Sequence, residues 1–302
     1  MRDFPAMAKQ REDLTGQVII VTGANAGIGL ETTVALATMG ATVVMTARNR
    51  EKGEAARDEV LSRSGAAPEK VVLGDLDLAS FTSIRAFAAW FLETFDRLDV
   101  LVNNAGLILD ARLLTDEGFE MMFGVNHLGH VLLTDLLSER LVASAPARVV
   151  VVSSMAHRFA IGGLNRSDLQ STQGFRGFPT YCRSKLANAQ FAFELARRME
   201  GTGVNVNCLH PGSINSHFGG DGDTGAMGWL IKAFGRIVLR SPKSGAKTQV
   251  LLASSTDPRV AQATGGYWSH GRKSRASRQA RNLEACAWLW EESERLVAQG
   301  AP

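Results

Sequence analysis

Residues 17–29 read QVIIVTGANAGIG. The apolar run QVIIVT passes straight into a turn with glycines at 23, 27 and 29, and then into a helical pattern over 27–39. An apolar run without polar alternation marks a strand buried on both faces, the habit of a parallel sheet. The glycines permit a tight turn and close approach of a phosphate, while the helix behind them offers free N–H groups at its positive end. The spacing is GxxxGxG; the general GxGxxG fingerprint is not met, because Thr32 stands where its last glycine would be. Such a turn alone is weak: methyltransferases of related fold also place glycines after a first strand, and a glycine turn can lack a ligand altogether.

Outward from this stretch the alternation continues. ATVVMTA (41–47), KVVLG (70–74), DVLVNN (99–104), RVVVVSS (148–154) and VNVNCL (204–209) are further buried-strand runs. Helical patterns at 27–39, 51–63, 81–95, 118–143 and 179–200 separate them. Strand and helix alternating this regularly predict an α/β fold: a single doubly wound, Rossmann-type parallel sheet of about seven strands with helices on both faces. No proline- or serine-rich linker divides the chain, so one domain is expected over 15–298, with 1–14 as an N-terminal extension. Two segments break the rhythm. Residues 155–178 read as an irregular loop, and 213–240 begin Gly-rich and end in the amphipathic AMGWLIKAFGRIVL. Ligands of open α/β sheets bind at the carboxyl ends of strands, which makes these the candidate substrate-side segments.

The 302 residues are 45% apolar and 21% charged with net charge +3, enough to bury a core and too mild to argue for nucleic acid. The one basic cluster, Arg272, Lys273, Arg275, Arg278 and Arg281, reads as a solvated loop before the last helix; contact with an anionic membrane or a partner is the alternative. Cys182, Cys208 and Cys286 form no CxxC pair and are expected to be buried, reduced thiols. No apolar run nears the length of a membrane span, so a cytoplasmic protein without a transmembrane segment is expected. The histidines show no metal-ligand spacing, and no metal is expected.

The end of the second strand bears on the cofactor. An NAD site usually places a carboxylate there for the ribose hydroxyls. Here Ala47 is followed by Arg48 and Asn49. A guanidinium suits a 2′-phosphate, so NADP(H) is favoured over NAD(H).

TGANAGIG (22–29), LDLAS (76–80), NNAG (103–106), Asn126 in GVNHLGH, Ser154 in VVSSMAH, Tyr181 and Lys185 in YCRSK, and HPG (210–212) jointly resemble the short-chain dehydrogenase/reductase family over residues 15–298. TARNREKGEAA, YCRSKLANAQFAFELARRM and HPGSINSHF are similar to its retinol dehydrogenase-like branch. The resemblance implies an oxidoreductase that transfers a hydride between the cofactor and an alcohol or carbonyl, here of lipophilic type. It assigns cofactor binding to Gly23, Asn25, Ala26, Gly27, Ile28 and Gly29; to Arg48 and Asn49; and to Asp77 and Leu78 beside the adenine. Asn104, Ala105 and Gly106, together with Pro211, Gly212, Ile214 and Ser216, complete that set, the last in a place where the wider family has threonine. Tyr181 and Lys185 belong to both the cofactor set and the catalytic set, which Ser154 and Asn126 complete. The long helices of relatives build dimers, which implies a possible homodimer or homotetramer.

Residue chemistry agrees with these roles. Tyr181 and Lys185 lie four apart on one helix face. Lowering a phenol by about three pKa units needs roughly 4 kcal/mol, about what an ammonium at about 4 Å supplies at an effective dielectric near 20. A YxxxK alone is common on helix surfaces. Ser154, at the end of the fifth strand, can donate to a substrate oxygen as charge develops there; Ser153 is its rival, and strand alternation sends the two side chains to opposite faces. Asn126 falls on the apolar stripe of Phe119, Met122, Phe123, His130, Leu133 and Leu137, so its amide needs buried partners. In relatives such an asparagine holds a water that links the lysine to solvent; the alternative is a purely structural amide. His127 and His130 read as packing or solvent residues, and His157 receives no role. The run 226–239 is either a core-facing stripe or a lid. Two other functions remain open: an NADP-binding sensor or scaffold without turnover, and an epimerase or dehydratase, whose glycines are usually spaced GxxGxxG.

Overall fold

The computed structural model describes residues 12–212 and 241–300. Ile214, Ser216 and the run 226–239 lie outside the described residues. Strands β1 (Val18–Val21), β2 (Thr42–Ala47), β3 (Val71–Asp75), β4 (Val100–Asn103), β5 (Ala147–Val152), β6 (Val204–His210), β7 (Gly266–Ser269) and β8 (Arg272–Ser274) form one sheet in the order β3-β2-β1-β4-β5-β6-β7-β8. All neighbours are parallel except β7 and β8.

Side-chain alternation divides the core in two. Ile19, Val21, Val43, Met45, Val100, Val102, Val150 and Val152 pack with Leu36, Ala56, Val60 and Leu252. This face is covered by α1 (Gly27–Thr38), α2 (Arg50–Ser64) and α7 (Pro242–Ser254). Val18, Ile20, Val44, Leu101, Val149, Val151 and Val206 face the other way, onto Phe87, Leu133, Leu137, Leu186 and Leu289. Here the cover is α3 (Phe81–Thr94), α5 (Gly129–Ala143), α6 (Gly177–Arg198) and α9 (Leu283–Gln299), the last lying on α6 with Trp290 stacked on Phe191 at 5.7 Å. Every inner strand is therefore buried on both sides, which is why its sequence shows no alternation.

The strand order reverses between β1 and β4, each of which leads away to helices on a different face. That switch opens a crevice at the carboxyl ends, where ligands of such sheets sit.

The structure refines the sequence reading in several places. The described residues form eight strands, in keeping with a sheet of about seven, the last of them, Arg272–Ser274, an antiparallel edge strand. The basic cluster therefore starts on a sheet edge, where charged side chains discourage pairing with other chains. Segment 155–178 is not wholly irregular: Met155–Phe159 is a 3₁₀ turn, and α6 already begins at Gly177. The helix expected from 118 starts later, as α4 (Met121–Phe123), because Gly118 takes φ +82° in a turn. A π turn, Gly124–Leu128, joins α4 to α5. A short α8 (Pro258–Ala261) precedes β7. All three cysteines are buried and unpaired. No helix among the described residues is long and apolar enough to cross a membrane.

One buried amide fastens β7 to the sheet. Asn207 Oδ1 accepts from the Gly266 N–H at 3.1 Å and from Trp268 Nε1 at 3.0 Å, while Nδ2 donates to the Ala263 carbonyl. Asn207→Leu strands these groups and is expected to cost about 2–4 kcal/mol in urea unfolding. A loss below about 1 kcal/mol would show that water replaces the amide.

Candidate active site

The turn after β1 is built on close approach. Gly23 and Gly27 take φ of +63° and +57°, in the left-handed region that favours glycine. A methyl on Gly29 would lie 2.3 Å from the Gly23 carbonyl oxygen and 2.7 Å from Asn104 Nδ2. Asn104 itself is held from three sides: Nδ2 donates to the Thr22 carbonyl at 2.8 Å, its N–H donates to Thr22 Oγ1 at 2.9 Å, and Oδ1 accepts from Gln249 Nε2 at 3.0 Å. Thr32, in place of the fingerprint's last glycine, has its hydroxyl within 2.8 Å of the Ile28 carbonyl and 3.1 Å of Gln249 Oε1, which brings α1 against α7.

The N-terminus of α1 fits a phosphate. Ala26 is extended and caps nothing with its side chain, and the first turn carries no acidic residue. By contrast α2 is capped by Asn49, whose Oδ1 accepts from the Lys52 N–H at 2.8 Å. Among the described residues the first N–H groups of α1 thus have no side-chain cap, and they sit at the positive end of the helix dipole. Arg48 is exposed beyond the buried Ala47 at the end of β2, beside Asn49. Asp77, partly buried, accepts from the Ala79 N–H at 2.9 Å, and Leu78 is buried against Gly129 of α5.

At the same sheet edge β5 ends in the two serines, and the structure separates them. Ser153 is buried and donates to the Lys185 carbonyl at 2.6 Å, so it serves α6. Ser154 faces the other way: its hydroxyl accepts from the Ala156 N–H at 3.1 Å and is hydrogen-bonded to the Tyr181 phenol. Lys185 is buried, with Nζ donating to the Val152 carbonyl at 3.3 Å and lying 5.9 Å from the Tyr181 ring centre. Burial pushes the phenol up to about 12, with the Ser154 hydrogen bond opposing, and pushes Lys185 down to about 8. In the chain by itself desolvation is the largest influence on both groups.

Asn126 sits in the π turn, fully buried. Its Oδ1 accepts from the Leu107 N–H at 2.7 Å, and Nδ2 donates to the Leu107 carbonyl and to Ser184 Oγ at 3.0 and 2.9 Å. Ser184 in turn donates to the Tyr181 carbonyl at 2.9 Å. The amide is committed to joining the loop after β4 to α6, the helix of Tyr181 and Lys185. Gly106 completes that junction: a methyl there would lie 2.9 Å from Lys185 Nζ. Gly212, at φ +95°, donates its N–H to His210 Nδ1 at 3.1 Å just after β6, next to Pro211.

Behind Ser154 and Gly212 lies a group of rings. His157 Nδ1 is 2.6 Å from the Ser154 carbonyl, and its Nε2 accepts from the Ser277 N–H at 3.1 Å. Tyr267 contacts both His157 and His210, at 5.1 and 5.9 Å between ring centres. Burial drives His157 and His210 below the usual imidazole value, His210 to about 4. The sequence reading missed Thr22, Ser184 and Gln249, though the first two stand inside quoted motifs.

Fold and site together define a nicotinamide-dependent oxidoreductase of the short-chain dehydrogenase family: residues 17–223 match that family, and the chain belongs to it. Within it, the chain falls in the retinol dehydrogenase-like branch. It is 40% identical to human retinol dehydrogenase 13 over 294 residues, taking in 96% of this chain and 87% of that one. A crystal structure of an uncharacterised Mycobacterium paratuberculosis protein superposes with TM-score 0.75 at 33% identity, covering 95% of both chains. The active-site complex of Pseudomonas aeruginosa RhlG with NADP superposes with TM-score 0.66 at 27% identity, covering 84% of this chain and 94% of that one.

The buried lysine has a measurable consequence. Its folded pKa, about 8, lies below the unfolded value of 10.5, so the unfolded chain binds more protons between these values and stability rises with pH across that window. Below about 8 the full cost of the buried ammonium is present. Lys185→Met is expected to stabilise the cofactor-free chain at pH 7 by on the order of 3 kcal/mol, with the gain fading as pH rises toward 10.5. Denaturant unfolding at several pH values checks this; a gain independent of pH would assign it to packing instead.

Proposed function

We propose that this chain is an NADP(H)-dependent oxidoreductase that interconverts an alcohol and a carbonyl on a lipophilic substrate, with Tyr181 as the acid/base. The observation that carries the reading is the Tyr181–Ser154 hydrogen bond beside the buried Lys185, at the sheet edge where the N-terminus of α1 has no side-chain cap. A nicotinamide bound there would supply or accept the hydride.

Ser154 accepts the Ala156 N–H, which leaves its own proton for an oxygen in front of it. That oxygen is the Tyr181 phenol in the resting chain, and a substrate oxygen takes part in the same arrangement during reaction. With a pKa near 12 the phenol stays protonated at neutral pH and can give its proton to a carbonyl oxygen, so the resting site is set for reduction. In the reverse direction a phenolate must form. The Lys185 ammonium, 5.9 Å from the ring centre, favours that charge, and Ser154 donates to the same oxygen. Asn126 acts here by fixing the distance between the loop after β4 and α6, since its amide is already committed.

Support for a lipophilic substrate comes from the surroundings of Tyr181. Phe159 and Phe178 are exposed with ring centres 6.2 Å apart, Met155 is exposed beside Ser154, and Ile108, Leu109 and Phe175 pack near the phenol. NADP(H) is supported by Arg48 after Ala47, where the end of β2 carries a guanidinium in place of a carboxylate, the neighbouring Asp75 being paired with Arg50. The NADP in the RhlG structure agrees with that choice.

A panel of long-chain aldehydes and retinoids, assayed with NADPH and NADH, tests the reading. Tyr181→Phe is expected to lower kcat by about 10²- to 10⁴-fold while leaving NADPH binding in place. NADPH binding with no turnover across the panel would favour a sensor or scaffold instead. Arg48→Ala is expected to raise the KM for NADPH by about 10- to 100-fold with little change for NADH. Equal losses for both cofactors would remove the arginine from 2′-phosphate recognition.

A further inference from the structure

His130 is buried on α5, in a place that the apolar stripe of that helix gives to packing. Its ring nevertheless bridges two parts of the site that are far apart in sequence. Nδ1 lies 3.1 Å from the backbone carbonyl of Asn126, and Nε2 lies 3.0 Å from Thr22 Oγ1.

The proton positions follow from what each partner can do. A carbonyl only accepts, so Nδ1 carries the hydrogen and Nε2 of the neutral ring offers a lone pair. The Thr22 oxygen already accepts two N–H groups, from Asn104 and Ala105, both at 2.9 Å. Its own hydrogen has two possible acceptors, His130 Nε2 at 3.0 Å and the Val102 carbonyl at 3.3 Å. Val102 already accepts the Thr22 N–H and a share of the Asn104 N–H, and it is the more distant of the two, so the hydrogen goes to His130. The Asn104 N–H is then shared between the Thr22 oxygen and the Val102 carbonyl, and the threonine hydrogen has the imidazole as its nearer acceptor. A charged ring would aim a third N–H at an oxygen with two lone pairs. Burial and the nearby Lys185 ammonium oppose that charge as well, and the imidazole is held down to about 4.

We propose that His130, as the neutral Nδ1–H tautomer, is a positioning residue that ties the backbone of Asn126 to Thr22, and so holds the proton-handling helix face in register with the cofactor turn. The inference rests on the reading of Tyr181 and NADP(H) given above. Asn126 holds Ser184 and the loop after β4, while Thr22 opens the glycine turn, and the imidazole connects the two through one rigid ring.

Two substitutions separate its two bonds. His130→Asn keeps a donor near the Nδ1 position and loses the acceptor for Thr22. It is expected to weaken NADPH binding, measured by fluorescence titration, about tenfold while kcat falls by less than about threefold. His130→Gln keeps an acceptor near Nε2 and loses the donor to Asn126. It is expected to show the reverse, with kcat down about tenfold and the NADPH Kd changed by less than about threefold. Thermal unfolding of each cofactor-free variant records any loss of stability separately. If both variants lose stability while Kd and kcat stay put, or if both constants move together in each variant, the bridge has no positioning role. Long-range ¹H–¹⁵N spectra of wild-type imidazoles give a test that needs no variant: the Nδ1–H tautomer should persist from pH 8 to about 5, as its lowered pKa requires, and an Nε2–H signal would overturn the assignment. A wild-type chain that binds NADPH but reduces nothing would remove the functional reading above, while Kd and tautomer would still decide this one.

Discussion

Helix α1 can approach the strand ends closely only because nothing but hydrogen separates Gly29 from the Gly23 carbonyl and the Asn104 amide. That contact sets where the helix begins, and so where its unpaired N–H groups point. Asn104 passes the constraint on: held by Thr22 on one side and Gln249 on the other, it fixes the end of β4 against β1 and α7. The loop after β4 then reaches Asn126, and through Ser184 the helix of Tyr181 and Lys185. The phosphate end and the proton-transfer end of the site are thus consequences of a single packing distance.

The reacting side of the edge depends on an opposite kind of constraint, the cost of burying polar groups. Lys185 is buried with a carbonyl partner, and burial makes Tyr181 less acidic. Active sites commonly hold such groups away from their ordinary pKa values, and they do so at the expense of stability.

The inner strands were legible in the sequence because burial on both faces removes polar alternation, so QVIIVT or RVVVVSS admits little else. The motif residues were legible by joint resemblance. What failed to show was whatever depends on contacts across the chain. Gln249 and Asn104 are 145 positions apart, and neither advertises the other. The π turn at Asn126 has no composition signal, since GVNHLGH fits a plain α-helix equally well. β7 and β8 are only four and three residues long, too short for a period to register. The tyrosine–lysine spacing was read correctly as a shared helix face, whereas the balance between charge and desolvation needed the burial of both groups to be known.

The rings behind Ser154 and Gly212 bear on how the edge behaves in changing surroundings. His157 and His210 each spend a lone pair on a backbone N–H, from Ser277 and Gly212 respectively. An imidazole employed in that way cannot take up a proton without giving up its grip. The two loops are therefore braced by groups that burial biases toward the uncharged form, so that mild acidification finds in them struts instead of sensors.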